Sequence, residues 1–334
     1  MRCNKMNIKG IHHVSAITDS AIKNYDFYTK ILGMRLVKKS VNQDDISVYH
    51  LYYGDYKGSP GTALTFFEFP NTMQNVEGVS SISLISLRVK NDAALEYFKK
   101  RFDENAVWHE DIKVRANRKT LFFKDPEGQR LMLVSDEHNK GVAAGKPWNL
   151  SPIDEEIQIL GLGPVRLTVK DPKNTLLVLK EVMGYREVGT YAAEVSGQKD
   201  IVVLEVGEGG SGTEIHIEER NDLSFERQGH GGVHHVAFRV EDEAELRQWI
   251  ERIKSVGLNN SGFVERFYFK SLYFREPNGI LFEFATDGPG FDTDEELEFL
   301  GESLSLPPFL ENKRAYIEKN LRPLNTKIAR EVGR

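Results

Sequence analysis

A chain of 334 residues, 40% hydrophobic and 28% charged, has the composition of a folded globular protein with room for about two domains. Its net charge of -6 and the lack of any lysine- or arginine-rich block argue against nucleic acid as a partner, because that binding is carried by clustered cations. The single cysteine, Cys3, excludes a disulfide framework. No apolar run approaches the roughly 18 residues that cross a bilayer, and the first residues lack the apolar core of a signal peptide, so a cytoplasmic location without a membrane partner is expected.

In chain order, a strand is expected over about Ile8 to Thr18. Asp19 or Ser20 can then cap a helix to about Leu32, with Ile22, Tyr25, Tyr28 and Leu32 at helical spacing and Gly33 as its stop. Three strand-like runs follow, Met34 to Ser40, Ser47 to Tyr53 and Gly61 to Pro70, which completes a β-α-β-β-β unit. A second unit has a strand at Ile82 to Val89 and a helix near Ala93 to Phe102. Its other strands fall near Val107 to His109, Thr120 to Phe123 and Arg130 to Val134.

Residues 137–156 read as a linker, after which the pattern restarts. A shift of 151 residues superimposes Gly10 on Gly161, Gly33 on Gly184, Gly61-Thr62 on Gly212-Thr213, Pro126 on Pro277 and Asp136 on Asp287. The expected class is therefore α+β, with four β-α-β-β-β units in two tandem domains, 6–136 and 157–288. Residues 289–334 lie outside the repeat and read as a helical extension (about Asp294 to Leu300, and again from about Glu311), either a strap or a lid.

Four of the nine histidines fall in two His-His-Val triplets on equivalent strands, His12-His13-Val14 and His234-His235-Val236. Side chains alternate across a strand. Val14 and Ala16, with Val236, Phe238 and Val240, mark the face that packs under helices; His13 and His235 share the opposite, wetter parity. His12 and His234 share the apolar parity, which makes them neighbours of the site, although a bulge can turn either one. Glu283, between Phe282 and Phe284, is a carboxylate in an apolar strand and needs a cation to satisfy it. His13, His235 and Glu283 form the minimal set for a divalent metal with open positions. The 151-residue counterparts of the three are Pro164, Leu84 and Met132, so one site per chain is expected, built from the first and fourth units.

Four such units, with histidines on first strands and a glutamate on a last strand, resemble the vicinal oxygen chelate superfamily of glyoxalase I, bleomycin-resistance proteins and extradiol ring-cleaving dioxygenases. The paired triplets, the Gly61 to Pro70 run, the Phe-Glu-Phe ending and the Leu306-Pro307-Pro308-Phe309 tail are most similar to the hydroquinone-type ring-cleaving dioxygenases. The resemblance implies Fe(II) held by His13, His235 and Glu283, with Mn(II), Zn(II) or Ni(II) as ions that a purified sample can carry. It also implies a small aromatic substrate, O2 as co-substrate, and supporting roles for His12, His234, Arg266 and Tyr273. A histidine near the metal can move protons, and Arg266 or Tyr273 can stabilise negative charge on oxygen; a core tyrosine and a surface arginine paired with Glu265 or Glu276 are the competing roles. Glu68, in its own Phe67-Glu68-Phe69 context, is a candidate fourth ligand that would make the site that of a glyoxalase-like isomerase or lyase. A non-catalytic binder of aromatic compounds is the third possibility. A homo-oligomer is compatible with the sequence, but a four-unit chain can complete the site without a partner.

Overall fold

The computed structural model describes residues 6–330; Cys3 lies outside them. The first unit comprises β1 (Ile11–Thr18), α1 (Ala21–Asp26) running on as a π-helical turn (Phe27–Ile31), β2 (Arg35–Val41), β3 (Tyr49–Gly54) and β4 (Ala63–Glu68). The second has β5 (Ser81–Val89), α2 (Asp92–Glu104), β6 (Lys113–Arg115), β7 (Arg118–Lys124) and β8 (Arg130–Ser135). The third has β9 (Ile159–Val169), α3 (Lys173–Leu177) with another π-helical turn (Val178–Val182), β10 (Arg186–Tyr191), β11 (Ile201–Glu205) and β12 (Ile215–Glu219). The fourth has β13 (Val233–Val240), α4 (Glu243–Ser255), β14 (Val264–Glu265), β15 (Lys270–Arg275) and β16 (Leu281–Thr286).

Local chemistry sets the helix boundaries. Ser20, Asn91 and Asp242 each accept a backbone N–H of the first turn with their side chains, as helix caps do. Gly33 leaves the first helix at φ 71°, a left-handed conformation in which a side chain would also run into Ile153. The helices bury one face each on the sheets, Ala94, Leu95, Phe98 and Phe102 from α2, and Leu246, Trp249 and Ile253 from α4.

The sixteen strands form two eight-stranded sheets, and neither is made from one half of the sequence. The first has the order β14-β15-β16-β13-β1-β4-β3-β2 and unites the fourth unit with the first. The second, β10-β11-β12-β9-β5-β8-β7-β6, unites the third with the second. Antiparallel pairing of β1 with β13, and of β5 with β9, joins the halves. In the second sheet, the positions matching the metal set carry Leu84 and Met132, which pack with Phe122 as a small apolar cluster.

Two expectations are corrected. The strand expected at Val107 to His109 is a single bridge from His109 to Phe123, and the edge strand is β6 further on. The stretch before β9 is pinned by buried Trp148 and Ile153, with the Gln158 side chain bonded to the Trp148 backbone. The extension is only partly helical: short 3-10 turns (Phe291–Thr293, Leu297–Phe299, Pro308–Lys313) precede α5 (Arg314–Asn320). Beside its own turns, the first unit holds parts of it in place. Arg35 donates to the Leu297 and Glu298 carbonyls, the Ser305 amide donates to the Lys39 carbonyl, and buried Lys38 meets Asp294 and Glu295 at 2.7 and 2.5 Å. The segment is a strap across β2. No helix among the described residues is long and apolar enough to cross a membrane.

Candidate metal centre and its cavity

β1 and β13 lie side by side at the middle of the first sheet, and each carries a bulge at its histidine pair. Ile11 faces Phe238 while His13 faces Ala237, so His12 is an extra residue on β1. Ser15 faces His235 while Ala16 faces Val233, so His234 is the extra residue on β13. The bulges undo the strict alternation that would send His12 and His234 toward the helices. Each turns inward beside its neighbour, with Nδ1–Nδ1 distances of 2.9 Å for His12–His13 and 2.8 Å for His234–His235.

On β1 these contacts fix where the ring protons sit. His12 Nε2 lies 3.0 Å from the Thr286 carbonyl, which can only accept, so that nitrogen carries the proton. His12 Nδ1 is then an acceptor, His13 Nδ1 donates to it, and His13 Nε2 is left as a lone pair. On β13 the 2.8 Å Nδ1–Nδ1 contact is compatible with the same assignment, which would turn the His235 Nε2 lone pair inward. The two Nε2 atoms are 3.2 Å apart, and Glu283 Oε2 lies 3.1 and 2.9 Å from them. Although so close, Glu283 Oε2 makes no hydrogen bond, while its Oε1 accepts from Ser271 at 2.5 Å. All three residues are buried, Glu283 completely. Three convergent electron pairs around an orphaned buried oxygen fit a divalent cation. Among the described residues this is the one cluster of its kind, with its ligand atoms all within 4.8 Å.

Strand register disposes of the fourth carboxylate. Ala237 faces both His13 and Glu283; its counterpart, Ser15, faces His235 and Thr65. The position matching Glu283 in the first unit is thus Thr65, not Glu68. Glu68 is three residues further along β4, opposite Thr18, where its Oε1 accepts the Ala21 amide at the start of α1. Thr65 Oγ1 lies 2.7 Å from Ser15 Oγ and 2.9 Å from His50 Nε2, and His50 Nδ1 lies 2.7 Å from the Tyr52 hydroxyl. Neutral hydrogen-bonded groups occupy the place a fourth ligand would need.

A cavity of ≈ 310 Å³ opens onto this cluster. Phe67, Phe69, Phe269 and Leu281 supply apolar walls, and His50, Tyr52, His234, Arg266 and Tyr273 supply polar groups. Three larger clefts, ≈ 530, ≈ 510 and ≈ 440 Å³, are bordered by ions already paired, such as Arg118 with Glu214, Arg88 with Asp136 and Lys9 with Glu241. Volume is a weaker guide here than convergent chemistry. Arg266 Nε donates to the Tyr273 hydroxyl at 3.1 Å, which leaves the tyrosine proton free for the cavity. Burial first, and then the Glu283 charge, push the Tyr273 pKa up, so the phenol stays protonated. Burial, aided by the adjacent imidazole, lowers His12 and His234 to about 3. Both are neutral at pH 7, and both ring nitrogens of His12 are engaged, one by the Thr286 carbonyl and the other by His13. Arg266 pairs with Asp44, not with Glu265 or Glu276.

The structure brings the seven residues singled out from the sequence close to one another and adds His50, Tyr52, Ser271 and Asp44, which sequence reasoning missed. The first three had a usable signal: His50 and Tyr52 share one parity of a strand whose other parity is Tyr49, Leu51 and Tyr53, and Ser271 lies two before Tyr273. Asp44 sits in a loop, where periodicity says nothing.

Residues 10–133 and 161–284 each match the family model of the Glyoxalase/Bleomycin resistance protein/Dioxygenase superfamily. The chain is 56% identical over 319 residues to "Putative ring-cleaving dioxygenase MhqA" of Bacillus subtilis, covering 96% of this chain and 100% of that one. It is 28% identical to the chlorohydroquinone/hydroquinone 1,2-dioxygenase of Sphingobium indicum, over 96% of this chain and 97% of the other. Its fold matches the crystal structure of a "putative dioxygenase" from Bacillus subtilis with a TM-score of 0.87 and 34% identity, over 97% and 99% of the two chains. Two matched repeats, full-length relatives and a shared fold agree: the chain belongs to the glyoxalase/bleomycin resistance protein/dioxygenase superfamily and is an enzyme of its dioxygenase kind.

Proposed function

We propose that the protein is an Fe(II)-dependent, extradiol-type ring-cleaving dioxygenase that inserts O2 into a hydroquinone or a related dihydroxy-aromatic. The observation that carries this is the convergence of His13, His235 and Glu283, which would hold a cation, beside a cavity with aromatic walls that His13 and His235 line. An ion bound there supplies a lowered phenol pKa and a common meeting point for phenolate and O2. The relatives named as ring-cleaving and hydroquinone dioxygenases support the substrate class.

The chain's own groups have distinct roles in this reading. Phe67 and Phe69 flank the space for a flat ring and exclude water from it. Tyr273, held by Arg266, donates its proton to an oxygen of the bound ring and stabilises charge that develops there. His12 and His234 orient the ligand imidazoles through their Nδ1 contacts, and His234 also lines the cavity. Ser271 holds the second oxygen of Glu283 so that Oε2 points inward.

The test is anaerobic loading with Fe(II), followed by 2-methylhydroquinone and oxygen, with O2 uptake recorded. Uptake of one O2 per ring with a new ring-opened chromophore is expected, and His235→Ala is expected to lose both bound iron and uptake. A fully iron-loaded enzyme that consumes no O2 with any hydroquinone or catechol would sink the reading.

A further inference from the structure

The mouth of the cavity is spanned by a charge pair that the proposed chemistry leaves unused. Arg266 Nη1 and Nη2 lie 3.4 and 3.1 Å from the two carboxylate oxygens of Asp44. Gln43 Nε2 donates to the Arg266 carbonyl at 2.9 Å. Asp44 is in the loop between β2 and β3, and Arg266 directly follows β14. β2 and β14 are the two edges of the first sheet, so the pair bridges the gap across which the sheet curls toward closure. The Asp44 side chain is 74% exposed and that of Arg266 is 21% exposed, which puts the carboxylate on the solvent side.

With Nε on Tyr273, every nitrogen of the guanidinium is committed. Among the described residues that line the cavity, Arg266 is the sole permanent cation and Asp44 the sole carboxylate. An unpaired arginine here would be a planar fork for a carboxylate on an incoming ring. Asp44 fills that fork from within the chain and adds a negative charge at the entrance. We propose that Asp44 is a specificity-determining residue: by neutralising Arg266 at the mouth, it makes the site select uncharged dihydroxy-aromatic rings over rings bearing a carboxylate. This inference rests on the ring-cleaving reading and sharpens its substrate class.

The experiment compares wild type, Asp44→Asn and Asp44→Glu, each with its iron content measured. The readout is the ratio of kcat/KM for 2,5-dihydroxybenzoate to that for 2-methylhydroquinone. Asparagine keeps the shape and an acceptor for the guanidinium but removes the charge. Because the ratio is internal, a loss of folded or iron-loaded enzyme cancels. The ratio is expected to rise about tenfold in Asp44→Asn, the scale for removing one like charge at a partly screened site. It is expected to stay near the wild-type value in Asp44→Glu. An unchanged ratio in Asp44→Asn overturns the proposal while leaving ring cleavage standing. If iron-loaded wild type turns over neither ring, the ring-cleaving reading fails, and the proposal is judged by calorimetric titration of 2,5-dihydroxybenzoate. Binding about tenfold tighter in Asp44→Asn supports it, and equal affinity overturns it.

Discussion

His12 makes its contribution through another residue. Its Nε2 is anchored on the Thr286 carbonyl and its Nδ1 takes the proton of His13, so it decides that His13 presents a lone pair to the metal position. Replacing it by phenylalanine keeps the ring's volume beside Phe269 and removes both bonds. His12→Phe is expected to weaken metal binding about 10–100-fold with the fold intact, measured by competition with a chelator; unchanged affinity would mean that the tautomer needs no such support. Thr65 makes the converse case. Since register puts it where a fourth carboxylate would go, Thr65→Glu is expected to be destabilised without metal, by several kcal/mol for a buried unpaired charge. Added Zn(II) should then raise its melting temperature more than it raises that of wild type. Calorimetry with and without metal decides this, and equal shifts would remove Thr65 from the symmetric position. The sequence exposed the ligands because two triplets recur at equivalent strand positions. It misplaced Glu68 because a local Phe-Glu-Phe match ignores register, and it gave His12 and His234 the apolar parity, open to a bulge, because alternation holds only where the ladder is unbroken.

Short connecting elements carry consequences of their own. In the turn between β7 and β8, the Asp125 carboxylate accepts the Glu127 and Gln129 amides and the Tyr28 hydroxyl, deep against the first unit. Burial pushes its pKa up to about 7 despite those donors. A carboxyl with a raised folded-state pKa favours folding when protonated. Its contribution is therefore fully present below the unfolded pKa near 4 and is lost as pH rises toward 7, by up to about 4 kcal/mol. Asp125→Asn keeps an acceptor for the two amides and does not titrate. Urea unfolding at pH 5 and pH 8 is expected to give a smaller loss of stability across that interval in the variant than in wild type; parallel losses would contradict the assignment. The strap is a second such element. Removing Asp294 and Glu295 together as alanines leaves the buried Lys38 ammonium unpaired, which is expected to cost about 3–5 kcal/mol, whereas Lys38→Met should cost less because an apolar chain of similar size suits the same space. The strap's acidic, leucine-containing start reads as helix in sequence. Its true state depends on backbone partners in β2, some 250 residues earlier in the chain, which no local pattern reports.

At the scale of the whole molecule, the duplication was legible and so was the pairing of its ends, because only the first and fourth units carry ligands. What periodicity cannot reveal is that each sheet crosses the boundary between the repeats. We propose 6–136 and 157–288 as the duplicated segments; the sheets, however, bind each segment to the other through β1 with β13 and β5 with β9. A segment taken alone leaves both of those central strands with an open edge and an uncovered apolar face. His13 is then in one piece, and His235 and Glu283 are in the other. Dividing the chain after Ala143, in the linker, is accordingly expected to give fragments that neither hold iron nor take up oxygen singly. Co-expressed, they should elute together and recover iron at one ion per pair, because the segment boundary carries no strand of either sheet. Iron held by the C-terminal fragment alone would show that the fourth unit finds its ligands without β1, and that the site does not depend on the union of the two ends of the chain.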